Sequence, residues 1–156
     1  MEEIVEQSDQ PPPSVSISGE AEEHHEFLFE YTLLACAFLN KSESDVSVRI
    51  VNDDAMTELH QKHSGASSTT DVLTFDRGSD ASGVRADIAV CFDVANRESI
   101  ERGNSVEQEL LLYVLHGVLH CCGFDDHEEE SFEAMYKEED RVLEAIGIGP
   151  VWSRGS

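Results

Sequence analysis

The chain has 156 residues, of which 40% are hydrophobic, and a formal net charge of −23. That length supports one domain whose core needs neither disulfides nor a structural metal, and no apolar run reaches the length of a membrane span. The acids concentrate in residues 1–30 and 125–144, and no basic stripe advertises nucleic-acid binding. A nucleic-acid reading therefore has to come from a site and not from overall charge.

In chain order, residues 1–13 read as a disordered acidic leader ended by Pro11-Pro12-Pro13. The leader has no Lys or Arg and no apolar core, so it does not read as a secretory signal, and a cytoplasmic protein is expected. Residues 14–150 read as a single domain and 151–156 as a short tail. Ser14 to Ser18 alternates polar and apolar residues, as a strand does. A helix follows from about Glu20 to Lys41, with Phe27, Leu28, Tyr31, Leu34, Ala35 and Phe38 as its apolar stripe. Asp45 to Val51 is a half-buried strand, and Asn52 or Asp53 caps a helix running to about His63. Asp71 to Phe75 and Val84 to Phe92 are strands joined by a short turn, which predicts an antiparallel hairpin. Asp93 caps a helix ending near Gly103. Ser105 and Gln108 form a capping box for the next helix, which Gly123 stops. An amphipathic helix from about Glu128 to Ile146 turns Phe132, Met135, Tyr136, Val142, Leu143 and Ile146 inward and its acids outward. The order predicts an α+β fold: a small mixed four-stranded sheet packed with about five helices.

Cys36, Cys91, Cys121 and Cys122 contain no CxxC pair and read as small buried hydrophobes, with Cys121 or Cys122 as a candidate accessory metal ligand. The chemistry concentrates in Leu110 to His127, LLLYVLHGVLHCCGFDDH. His116 and His120 are one helical turn apart and can share one ion from the same face. The flanking helix is apolar nearly all round, so two histidines within it need partners. Gly123 lets the chain reverse and bring Asp125, Asp126 and His127 back over the helix. In metzincin-type order, H-x-x-x-H-x-x-G-x-x-H, the helix fits at His116, His120 and Gly123. The final place falls on Asp126, with His127 one residue late, and either can complete a zinc site. Three protein ligands would leave a position for water. Gly117 stands where an HExxH peptidase carries its glutamate base, which disfavours peptidase chemistry.

These residues resemble the YbeY metallo-endoribonucleases of bacteria, whose signature HGxLHLxGYDH stands here as HGVLHCCGFDDH. A second family element, roughly P-T-D-V-L-S-F, is similar to Thr69-Thr70-Asp71-Val72-Leu73-Thr74-Phe75. A third, G-D-I before a helix with Ala and Glu, is similar to Ala86-Asp87-Ile88 with Ala95 and Glu98. The resemblance implies one zinc ion on His116, His120 and His127 and cleavage of single-stranded RNA. It also implies maturation of the 16S rRNA 3′ end and quality control at the small ribosomal subunit, with no membrane or DNA partner. This chain departs from the family in two places. The extra Asp keeps Asp126 as a rival ligand, and Ser64 stands where the family commonly has an arginine, leaving Lys62, Arg77 or Arg85 to substitute. Catalytic roles fall to His116 and Asp125, with the base being the metal's own water or whichever of Asp125 and Asp126 is not a ligand. Asp71 and Asp87 read as structural hydrogen bonders. His24, His25, His60 and His63 read as surface residues. Two rival functions remain: a non-catalytic zinc-binding, ribosome-associated protein, and a metallohydrolase of another class.

Overall fold

The computed structural model describes residues 13–125 and 128–149. Most of the acidic leader, the 151–156 tail, Asp126 and His127 lie outside these residues.

The alternating segments form four strands: β1 (Ser14–Gly19), β2 (Asp45–Val51), β3 (Val72–Asp76) and β4 (Arg85–Cys91). Their order across the sheet is β1-β2-β4-β3. β1 runs parallel to β2 and β2 parallel to β4, while β3 is antiparallel to β4 with Thr74 opposite Ile88. The expected hairpin is therefore β3–β4, and β3 is an edge strand. Five helices accompany the sheet: α1 (His25–Phe38), α2 (Asp53–Ser64), α3 (Phe92–Arg102), α4 (Val106–Cys121) and α5 (Glu129–Ala145). The α+β expectation with a mixed four-stranded sheet holds.

Strand periodicity divides the helices between the two faces. Val46, Val48, Ile50, Ala86, Ile88 and Val90 turn to one face and make the main core with α1, α4 and α5. Val51, Leu73, Ala89 and Cys91 turn to the other, where Met56 of α2 is buried against them. α4 lies between the sheet and the outer helices. Its residues 109–115 and 117–119 are buried, so it is apolar nearly all round because it is covered nearly all round.

Several local expectations shift. The predicted helix from Glu20 begins as a single 3-10 turn, Glu22–His24, because Ala21 adopts a left-handed conformation at φ 56°. In α1 the buried positions are Leu28, Thr32, Ala35 and Cys36, while Leu34 and Phe38 are exposed by 43% and 39%. The stripe is rotated by the contact with β1 and α4, and Phe38 lies under the Arg141 guanidinium instead. Phe92 opens α3 and does not end β4, and Asp93 caps no helix of its own. Its carboxylate accepts the Asp53 backbone N–H at 2.8 Å, satisfying a free donor at the start of α2. Asn52 is the α2 cap, accepting from Ala55 N–H at 2.9 Å. The Ser105–Gln108 capping box forms reciprocally, at 3.1 and 2.9 Å.

Candidate active site

From Glu109 to His120, His116 and His120 are the two half-buried positions of α4. Both face a cleft of about 430 Å³ that β3 walls on its free side, lined also by Asp71, Thr74, Asp76 and Cys121. Each ring is fixed through Nδ1. His116 Nδ1 lies 2.8 Å from Glu139 Oε2, a carboxylate on α5 exposed by only 1%. His120 Nδ1 lies 3.1 Å from the Phe124 carbonyl oxygen. A carboxylate and a carbonyl only accept, so each Nδ1 carries the proton and each Nε2 presents a lone pair.

The Phe124 carbonyl is delivered by the turn that ends the helix. Gly123 takes φ +102°, its N–H bonds the His120 carbonyl at 3.0 Å, and the Phe124 N–H bonds the Leu119 carbonyl at 3.1 Å. This is the left-handed glycine stop expected from the sequence. It does more than end the helix, because the residue after it orients the second histidine.

The two Nε2 atoms converge to 3.2 Å, with the rings nearly perpendicular at 84°. Two lone pairs at that distance repel unless a proton or a metal ion lies between them. With zinc–nitrogen bonds of about 2.0–2.1 Å, two ligands of a tetrahedral ion stand about 3.3 Å apart. The pair fits a shared zinc ion, and the carboxylate–histidine contact behind it is the usual support for such a ligand. Among the described residues, no set of three His, Cys, Asp or Glu side chains converges on one point. The two candidates for a third ligand, His127 and Asp126, lie outside the described residues.

Gly117 has a packing role in addition to the one read from the sequence. A Cβ there would sit 2.6 Å from Thr74 Oγ1 and 3.1 Å from Ile88 Cδ1. The helix approaches the hairpin so closely that this position faces the sheet and is buried. Any side chain there would have to displace Thr74 or Ile88.

The remaining expectations divide. Asp125 is exposed just past the Gly123 turn and is not among the residues lining the cleft. Asp71 precedes β3; its carbonyl accepts the Cys91 N–H at 2.9 Å, as a structural residue would, but its side chain also lines the cleft. Asp87 is structural as read: its carboxylate holds Arg77 Nε at 3.1 Å on the opposite face of the sheet. Arg85 is tied to Asp80 at 3.2 Å. Neither arginine, nor Lys62, is among the described residues that line the cleft. Two cations that border this region are ones sequence reasoning missed. Arg102 borders a small space of about 60 Å³ with His116, Tyr113 and Glu139, and Arg97 joins it around a depression next to Asp71. His24 is not solvated: its Nδ1 meets Glu107 at 3.0 Å and its side chain is 18% exposed.

Cys36 and Cys91 are buried as expected, whereas Cys121 and Cys122 are half-buried. Burial pushes the Cys121 thiol up to about 11, against the lowering effect of a hydrogen bond with Ser79. The neighbouring Asp76 carboxyl is held below its ordinary value, chiefly by the Ser79 backbone N–H. Cys121 is a neutral thiol at the cleft wall.

Comparison with known proteins bears on this geometry. A family model described as Endoribonuclease YbeY matches residues 14–147. A relative from Desulfitobacterium hafniense named Endoribonuclease YbeY is 33% identical over 116 residues, covering 68% of this chain and 74% of that protein. One from Staphylococcus saprophyticus with the same name is 31% identical, covering 69% and 76%. One from Frankia casuarinae is 35% identical, covering 64% of this chain but only 56% of the relative. Among solved structures, the solution structure of TM1509 from Thermotoga maritima is similar with a TM-score of 0.60 and 31% identity, covering 84% of this chain and 90% of that one.

Proposed function

Since the chain belongs to the YbeY endoribonuclease family, we propose that it is a zinc-dependent endoribonuclease. Its substrate is single-stranded RNA, and its place is the maturation of the 16S rRNA 3′ end and quality control at the small ribosomal subunit, in the cytoplasm. The observation that carries the reading is the pair of Nε2 lone pairs converging to 3.2 Å at the cleft, each ring locked from behind. His116, His120 and one of His127 and Asp126 would hold the ion. Bound there, zinc supplies a water of lowered pKa and polarises a phosphoryl oxygen.

The chain's own groups do the rest. Glu139 fixes the tautomer and direction of His116, and the Phe124 carbonyl does so for His120. Thr74 on the β3 wall and Asp71 at its start border the space in which a scissile phosphodiester would lie. Asp71 and Asp125 are the carboxylates offered for proton transfer, one in the cleft wall and one beyond the turn. Among the described residues, no arginine or lysine lines the cleft itself. Neutralising the phosphates there would fall to the metal and to cations at its borders, and a chain this acidic repels RNA most strongly at low salt.

The test compares wild type and His116→Ala on labelled single-stranded RNA, duplex RNA and an unstructured protein, with and without chelator. Chelator-sensitive cutting of single-stranded RNA alone is expected, lost in His116→Ala. Cutting of the protein substrate alone would overturn the reading. Stoichiometric zinc with no cutting of any substrate would favour a non-catalytic ribosome-associated role. Zinc affinity of His127→Ala against Asp126→Ala separates the two third ligands.

A further inference from the structure

The face of the sheet turned away from the histidines carries a groove of about 500 Å³ that this chemistry does not use. Ser18, Ser47 and Arg49 of β1 and β2 line it, with Leu59 of α2 and Phe75 of β3. Strand alternation puts these residues here: Val46, Val48 and Ile50 take the core face, so Ser47 and Arg49 take the other.

Arg49 is exposed in this groove and stands apart from the other described arginines. Arg77, Arg85, Arg97, Arg102 and Arg141 are each paired with a carboxylate. Arg49 has no such partner among the described residues, in a chain with a large surplus of acids. Of the groove's two acids, Asp87 is held by Arg77, and Glu58 makes no ion pair with Arg49. An uncommitted guanidinium beside serine hydroxyls suits a phosphate, which it can engage with two parallel N–H donors. Leu59 and Phe75 add apolar surface, and the His63 ring meets Phe75 edge-on at 4.8 Å. Aromatic faces of this kind accept any nucleobase.

Position links the groove to the cleft. β3 is an edge strand, so no further strand separates its two faces. Thr74 and Asp76 line the cleft on one side and Phe75 lines the groove on the other. A polynucleotide leaving the cleft reaches the groove by crossing that edge.

We propose that the groove holds one nucleotide of the same single-stranded RNA whose scissile bond lies in the cleft, with a phosphate on Arg49 and a base against Phe75 and Leu59. This rests on the endoribonuclease reading above.

The test uses the full chain loaded with zinc and a single-stranded RNA oligonucleotide. In Arg49→Gln, KM rises about tenfold with kcat unchanged, and the slope of log affinity against log salt changes by about 0.7, the value for one phosphate contact on a single strand. Phe75→Leu keeps an apolar side chain but removes the ring face, and it raises KM about fivefold. Lys137→Gln, an exposed cation on α5, leaves both quantities unchanged. Backbone amide shifts of Ser47 and Arg49 follow the RNA titration in wild type and not in Arg49→Gln. If wild type cuts RNA while Arg49→Gln and Phe75→Leu leave KM, slope and shifts as they were, the groove is not part of the RNA path. If adenosine monophosphate moves the Ser47 and Arg49 amides but the RNA does not, the groove takes a free nucleotide and the proposal is overturned. If wild type neither binds nor cuts RNA, the endoribonuclease reading itself fails, an outcome distinct from the other two.

Discussion

Glu109 on α4 and Glu139 on α5 are the two fully buried carboxylates among the described residues, exposed by 0% and 1%. Their burial is the same and their partners are not. Glu109 accepts from Asn104 Nδ2 at 2.8 Å and from the Tyr113 hydroxyl at 3.1 Å, with Arg102 at 3.5 Å to balance its charge. These groups lie in the α3–α4 connection and the first turns of α4, so Glu109 fastens one helix to the next. Glu139 instead accepts from His116, whose other nitrogen opens on the cleft. A buried acid is costly unless paired, and the comparison shows that burial alone does not mark function. What distinguishes the two is whether the partner has a second nitrogen directed at the cleft.

The comparison breaks most sharply at Glu139. Glu139→Gln keeps an acceptor for His116 but loses the charge, and we expect zinc affinity to fall about 10- to 100-fold with little change in Tm. Competition against a chelator measures it, and unchanged affinity would place Glu139 beside Glu109 as a structural acid. Glu109→Gln should do the reverse. It leaves Arg102 without its buried counter-charge and should cost about 1–3 kcal/mol in denaturant unfolding, with kcat per folded molecule retained.

Tyr113→Phe sharpens the structural side further. Burial first, then the Glu109 charge, raise the Tyr113 phenol well above its ordinary value of 10.0. A raised folded value means that the hydroxyl's contribution is complete below about pH 10 and fades as pH rises toward the folded value. The stability difference between wild type and Tyr113→Phe, about 1 kcal/mol, should therefore be flat through neutral pH, and the phenol should titrate only with alkaline unfolding. The smallest effect belongs to a half-buried acid at the surface. Asp53 is held below its ordinary 3.8, chiefly by Arg97 at 2.8 Å. A depressed folded value means that its contribution is present above that pH and lost as pH falls through the lowered value. Asp53→Asn should cost a few tenths of a kcal/mol at neutral pH, less at high salt, and nothing in strong acid.

Much of this molecule is legible before folding is considered. The alternation of Val46, Val48 and Ile50, the Ser105–Gln108 box and the Gly123 stop are local signals, since each depends on residues within a turn or a strand of one another. They gave the strands, the start of α4 and its end correctly. The spacing of His116 and His120 is equally local, because one helical turn fixes their common face. The pattern of the last helix places Glu139 among its outward acids, although it falls four residues from both Met135 and Leu143 on that helix's apolar stripe. That position was the available sign that its carboxylate is buried; its partner was not available, because His116 lies on another helix.

The sequence by itself determined which helix carries the paired histidines, that the two share one face of it and where that helix must stop, because patterns one turn long dictate those features. Only the tertiary structure decided what stands behind each histidine, that Gly117 is pressed against Thr74 and Ile88, and that Arg49 alone among the described arginines is left uncommitted. Those facts are distances between elements far apart in the chain, set by how helices pack on a sheet and not by any local preference of the residues involved.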